Sequence, residues 1–235
     1  MELIDALRQR RSVRRYEVRN IEAEKLEALQ ALVREINAKA ALHFQLVTEE
    51  PEAFTSMLSH YGRFRDVRNY FALVGRKASN LEERIGYYGQ QLVLRAEQIG
   101  LNTCWVALTY SKKKAQVDIA PDERCVCLVS LGYGAEKPVR HKSKIFPQVI
   151  KVPKGIEVPE WFRQGVDAAL YAPTAINQQK FKLALGKDGK SVSARHGIGF
   201  YSRVDLGIVR LNFETGAGKE NFTWSDWKGQ YNFLI

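Results

Sequence analysis

The sequence predicts an α+β fold in which one layout of elements occurs twice. Amphipathic helical patterns alternate with short apolar segments of strand length along all 235 residues. An offset of 137 residues superposes one helix–connection–strand run on another without a gap: Ile21 meets Val158, Leu29 meets Val166, Val33 meets Leu170 and Phe44 meets Phe181. A second offset, of 118 residues, pairs Gly89 with Gly207 and Gly100 with Gly218. The chain is therefore read as two halves, 1–155 and 156–235, the second one shorter.

The elements follow in order. Leu3, Ile4 and Leu7 make a short amphipathic helix over 2–11. Leu26, Leu29, Leu32, Val33 and Ile36 sit at helical spacing over Ile21–Ile36, with Asn20 placed to cap the start. Leu42 to Val47 alternates as a strand, with His43 on its solvent side, and a short helix is expected over Phe54–Gly62. Phe71 to Gly75 is a buried strand. The longest helix runs from about Leu81 to Ile99, and Gly100 closes it. Gly100-Leu101-Asn102-Thr103 is then a loop before the next strand. Ser111 to Gln116, with three lysines, is a helix or surface loop. Arg124 to Gly132 is a buried strand, Val158 to Leu170 another amphipathic helix, and Gly197-Ile198-Gly199 a turn between strands. The aromatic tail Trp224 to Tyr231 covers the sheet of the second half.

Composition narrows the partners. The chain is 45% hydrophobic and 11% aromatic, enough for a packed core. Its 36 basic against 26 acidic residues leave a net charge of +10, which favours anionic partners in general: nucleotides, phosphates, nucleic acid or an acidic membrane surface. Cys104, Cys125 and Cys127 form no disulfide framework and read as buried thiols in a reducing cytoplasm. The N-terminus carries no apolar signal core and no run of about 18 apolar residues occurs, so neither export nor a membrane partner is expected. No His-Glu-x-x-His, Gly-x-Ser-x-Gly or Gly-x-x-x-x-Gly-Lys-Ser/Thr spacing occurs, so metal, serine-hydrolase and P-loop chemistry are not read here, and no metal ligands are assigned.

The densest signal is Leu7-Arg8-Gln9-Arg10-Arg11-Ser12-Val13-Arg14-Arg15-Tyr16. Arg10, Arg11, Arg14 and Arg15 around the Ser12 hydroxyl suit a phosphate, because the guanidinium presents a planar fork of donors. The same cluster also reads as a solvated basic helix end that complements the helix dipole. Three further segments accompany it. Gly100-Leu101-Asn102-Thr103-Cys104-Trp105 follows the long helix. Leu131-Gly132-Tyr133-Gly134 precedes His141-Lys142-Ser143-Lys144. Ala172-Pro173-Thr174-Ala175-Ile176-Asn177-Gln178-Gln179 follows the Val158–Leu170 helix.

Together these segments resemble the motifs of the FMN-dependent nitroreductase family, in particular its single-chain members built as fused pseudo-dimers. The resemblance implies a mixed, mainly antiparallel sheet flanked by helices. It also implies FMN as cofactor, a reduced nicotinamide, NADH or NADPH, as hydride donor, and a small nitroaromatic or quinone-like electron acceptor. By the resemblance, Arg10, Arg11, Ser12, Arg14, Lys142 and Lys144 grip the FMN phosphate. Asn102 and Thr103 approach the flavin, and Pro173, Thr174 and Asn177 supply a hydroxyl and an amide to it. In homodimers of the family one subunit brings the Arg-Arg-Ser element and the other the Pro-Ser-x-x-Asn element. Here the first is only in the first half and the second only in the second half, so one complete site per chain and a monomeric pseudo-dimer are expected. Thr174 replaces Ser, and Lys180-Phe181 replaces the family's Pro-Trp. No side chain is assigned an acid–base role. The alternative reading is a non-catalytic protein of this fold that binds a flavin, another nucleotide or nucleic acid.

Overall fold

A computed structural model describes residues 1–55, 57, 61–136, 142–226 and 231–235. Residues 56 and 58–60 of the helix expected over 54–62, His141 of the lysine segment and residues 227–230 of the aromatic tail lie outside them. The described elements form two four-stranded sheets with two long helices packed against each other between them.

The first sheet has the order β1 (Gln45–Val47), β2 (Asn69–Arg76), β4 (Glu123–Gly132), β3 (Asn102–Val106), with every pair antiparallel. The second has the order β5 (Ile150–Lys151), β6 (Phe181–Leu185), β7 (Ser191–His196), β8 (Thr223–Trp224). There the β6–β7 pair is antiparallel and the outer two are parallel. The whole is the mixed, mainly antiparallel α+β arrangement expected. β5 precedes residue 156 yet pairs with β6, so the second sheet takes its edge strand from before that residue.

Around the sheets lie α1 (Leu3–Gln9), α2 (Ala23–Ala40), α3 (Leu81–Gln98), the single-turn α4 (Phe146–Val149), α5 (Glu160–Ala169) and α6 (Ser202–Ala217). Helices α2 and α5 begin 137 residues apart, at Ala23 and Glu160, as the sequence offset requires. Helices α3 and α6 pack on each other, and both are buried along almost their whole length. That burial explains why apolar and small residues surround each helix instead of forming one stripe. They begin at Leu81 and Ser202, 121 residues apart, so the offset of 118 that pairs Gly89 with Gly207 is corrected by three residues. The residue facing Gly207 at the crossing is Gly86.

Other local expectations need correction. Glu22, not Asn20, occupies the N-cap position of α2, and no side chain caps that end; Glu22 instead takes bonds from Arg19 and Tyr133. Asn102 and Thr103 are the first residues of β3, because their pairing with Gly132 and Leu131 extends the ladder to that point. The 197–199 turn joins β7 to α6, not one strand to another. Gly100 does close α3, with φ +80° and its N–H on Glu97 O at 3.0 Å. His43 places Nδ1 2.8 Å from a Glu123 carboxylate oxygen. Among the described residues no helix is long and apolar enough to cross a membrane, and no cluster of metal-ligating side chains occurs.

Candidate functional site

One wall of the site begins where α1 ends. Arg11 turns its guanidinium onto the carbonyl oxygens of Arg8, Gln9 and Arg10, at 2.6, 3.1 and 2.7 Å, and so satisfies the open end of the helix. The chain then runs extended. Val13 is buried and donates its N–H to Thr103 O at 3.0 Å, while Ser12 and Arg14 face outward. Tyr16 is buried, with its hydroxyl 2.7 Å from both Val13 O and Ser130 Oγ, and this anchors the segment to β4. Ser12 and Arg14 are thereby held beside Cys104 and Trp105 of β3.

The opposite wall comes from the far half of the chain. The 172–179 turn presents Pro173, Thr174, Ala175 and Ile176 to the same cavity, together with Tyr201, Asp205 and Ile208 at the start of α6. Ile176, Asn177 and Gln179 all have positive φ, at 47°, 55° and 46°, and so does Tyr201, at 53°. Asparagine tolerates this region, but a β-branched isoleucine does so only under strain. Asp205 holds the turn in place. Its Oδ1 accepts the Ala175 N–H at 2.9 Å and its Oδ2 accepts Gln178 Nε2 at 2.8 Å. Burial pushes the Asp205 carboxyl up to about 6, against the pull of these two donors.

The cavity measures about 110 Å³. Tyr201 also lines an adjoining groove of about 490 Å³ that includes Glu82, Arg124 and Phe200. A larger hollow of about 910 Å³ lies by Arg15, Phe64 and Arg65 and shares no lining residue with this cavity.

Four of the buried side-chain polar atoms without a hydrogen-bond partner among the described residues belong to this region: Arg10 Nε, Glu97 Oε2, Thr103 Oγ1 and Trp105 Nε1. Such atoms are rare in folded chains and mark places where a ligand or an ordered water belongs. Arg10 is 3% exposed, and burial lowers it to about 10 although the nearby Glu97 opposes the shift. Burial likewise raises the Glu97 carboxyl and the Cys104 thiol, with Arg10 the main opposing charge for the first and Arg14 for the second.

Of the residues expected at the site, Ser12, Arg14, Pro173 and Thr174 come together in one cavity. Arg10 and Arg11 lie at the α1 end, one buried and one capping the helix. Asn102 accepts the Gly134 N–H at 3.0 Å, and Thr103 bridges to Ser12. Lys142, Lys144 and Asn177 form a separate cluster. Asn177 Nδ2 and Gln179 Nε2 donate to Lys142 O at 2.9 and 3.0 Å, and Lys144 Nζ donates to Gln179 O at 2.6 Å. Asp205 and Tyr201 line the cavity without having been singled out in the sequence, and Trp105 does so after entering the sequence reading only as the end of the Gly100–Trp105 segment. An acidic residue in the first turn of an apolar helix was the one available hint for Asp205.

The family model described as "Putative TM nitroreductase" matches residues 2–217. No curated protein matches the chain. A structure described as a putative nitroreductase from Thermotoga maritima is 20% identical, covers 94% of this chain and 85% of its own, and superposes with a TM-score of 0.65. A structure from Desulfovibrio desulfuricans, described as a putative nitroreductase in complex with FMN, is 15% identical with a TM-score of 0.50. It covers 65% of this chain and 98% of its own. A structure from Bacteroides thetaiotaomicron, described as a putative NADH dehydrogenase/NAD(P)H nitroreductase, is 19% identical, covers 63% of this chain and 95% of its own, and also has a TM-score of 0.50. At these identities the likeness is one of fold.

Proposed function

The chain belongs to the family described as putative TM nitroreductases, and from that premise we propose that it is an FMN-dependent oxidoreductase with one site shared by its two halves. The observation that carries this reading is the single cavity in which Ser12 and Arg14 meet Pro173 and Thr174. Bound FMN would take a hydride from NADH or NADPH and pass electrons to a small acceptor. We assign the halves to 1–155 and 156–235, each contributing one wall.

The donor set fits the group. An outward-facing guanidinium at Arg14 and a hydroxyl at Ser12 suit a phosphate. The unpartnered Thr103 hydroxyl and Trp105 N–H, with the Thr174 hydroxyl opposite, suit a heterocycle and a polyol chain. Lys142 is proposed to complete the phosphate environment, and Asn102 and Asn177 to bound it; Lys144, whose Nζ is held on Gln179 O, lines a different groove and is not assigned to the phosphate. Asp205 positions the 172–179 turn, since both its oxygens already accept bonds from that turn. No residue is assigned a proton-transfer role.

A second reading, a non-catalytic protein that binds a flavin or another nucleotide, is favoured by one observation. The cavity volume of about 110 Å³ lies below the roughly 300–1,000 Å³ of most ligand pockets. On the first reading the adjoining groove of about 490 Å³ that shares Tyr201 would add to this volume. Flavin released by denaturation, measured against protein concentration after reconstitution with FMN, separates the readings. The shared-site reading expects one FMN per chain and NAD(P)H oxidation once an acceptor is added. A ratio of two defeats the single shared site; one FMN without turnover, or no FMN, gives the second reading.

A further inference from the structure

The second sheet turns a densely cationic face outward. A groove of about 880 Å³ runs over this face of β5, β6 and β7, within the roughly 300–1,000 Å³ range of small-ligand sites. Lys144, Lys151, Lys180, Lys182, Lys187 and Arg195 line it, and no acidic residue does. Among the described residues none of the six forms an ion pair. Elsewhere exposed cations find carboxylates, as Lys114 does with Glu52 and Arg124 with Glu82.

Strand register concentrates this charge. Lys182 lies directly opposite Arg195 across the antiparallel β6–β7 pair, and like charges in that position destabilise a sheet. Lys151 shares a register position with Ala184, two residues further along the same face. Three of the ammonium groups are held by neutral carbonyls: Lys144 by Gln179 O at 2.6 Å, Lys180 by Ile198 O at 3.0 Å and Lys182 by Gln148 O at 2.6 Å. A carbonyl fixes an ammonium in place without cancelling its charge, so the face is both positioned and uncompensated.

We propose that this face of the β5–β6–β7 sheet, where Lys182 and Arg195 oppose each other amid four further unpaired lysines, binds a linear oligophosphate of nucleotide size. Positions two apart on a strand are separated by roughly 7 Å and paired positions by roughly 5 Å, so the cations span more than one phosphate can bridge. Single-stranded nucleic acid sites add aromatic faces for base stacking. Among the described residues lining this groove, Phe181 is 4% exposed and belongs to the core, which leaves the His196 imidazole as the one exposed aromatic ring.

Titration calorimetry of the full, FMN-reconstituted chain with inorganic triphosphate at fixed ionic strength tests the proposal. One site is expected, with the Lys182→Gln/Arg195→Gln double variant weakened by about tenfold or more and its flavin content unchanged. Monophosphate should bind about tenfold more weakly than triphosphate. A Lys180→Gln/Lys187→Gln variant, which leaves the opposed pair intact, should weaken binding to a smaller degree. The proposal falls if triphosphate does not bind, if the double variant binds it equally, or if mono- and triphosphate bind alike. Affinity for oligonucleotides that exceeds triphosphate and grows with length would instead make this a nucleic-acid surface. Binding to anionic phospholipid vesicles without binding to triphosphate would make it a membrane-facing one.

Discussion

Gly86 and Gly207 face each other where α3 crosses α6, and the contact is reciprocal. A Cβ on Gly86 would overlap the Val204 carbonyl oxygen, and a Cβ on Gly207 would overlap the Glu83 carbonyl oxygen. Both contacts relate residues three positions before the facing glycine, as expected if one helix occurs twice about a local two-fold axis. The backbones approach so closely that no methyl group fits between them.

Replacing either glycine by alanine should therefore destabilise the chain, although alanine is the better helix former. The overpacking cost of about 1–3 kcal/mol outweighs the propensity gain of up to about 1 kcal/mol. At roughly 2–4 °C per kcal/mol for a chain of this size, Gly207→Ala should lower Tm by several degrees. An unchanged melting curve would mean that the two helices do not meet at these residues.

Arg10 and Arg14 should separate folding from cofactor binding. Arg14→Ala removes an outward-facing cation and should weaken FMN by about tenfold to hundredfold, equivalent to 1.5–3 kcal/mol, with riboflavin little affected because it has no phosphate. Arg10→Ala leaves the half-buried Glu97 without its nearby positive charge and opens a gap at a buried position, so it should lower stability. Chemical denaturation and flavin titration on both variants check the split. If Arg14→Ala weakens FMN and riboflavin equally, Arg14 does not hold the phosphate.

Ile176 is 91% exposed and sits at φ 47°. A β-branched residue there costs about 1–3 kcal/mol, while its exposure means that replacement loses almost no buried surface. Ile176→Asn should therefore raise Tm by roughly 2–4 °C. Its effect on flavin affinity, measured on the same protein, reports whether the strained turn serves the cavity that Ile176 lines.

Asp205 should give the chain a distinctive pH dependence. Its folded-state carboxyl titrates near 6, above its ordinary 3.8, so the native state holds a proton that the unfolded state has lost in that window. The corresponding stability is present below about pH 4 and is lost as pH rises through 6, amounting to about 3 kcal/mol at most. Relative to Asp205→Asn, the wild-type chain should lose stability between pH 4 and pH 6. Parallel melting curves at pH 4, 5, 6 and 7 check the slope; equal differences at every pH would place the titration elsewhere.

The chain's local chemistry was legible where spacing dictates it. Leu29, Leu32, Val33 and Ile36 are buried on one face of α2, and the apolar runs at 71–75 and 124–132 lie within β2 and β4. Gly100 ends α3 because it alone there meets no steric penalty at φ +80°. These outcomes rest on contacts within a few residues, which a sequence displays directly.

By itself the sequence determined the α+β elements, the 137-residue repeat of helix starts and the two short motifs 12–14 and 173–174. The family resemblance implied that those motifs share a site, and the tertiary structure brings Ser12, Arg14, Pro173 and Thr174 of the two to one cavity. Only the tertiary structure decided that Arg10 is buried while Arg14 faces out, that Asp205 braces the turn, and that Lys144 joins the cationic groove instead of lining the cavity. The physical reason is distance along the chain. Helix and strand periods record which face of an element is apolar, but not which distant element covers it. The three-residue change of offset between α3 and α6 was set in the same way, by where two glycine backbones could approach most closely.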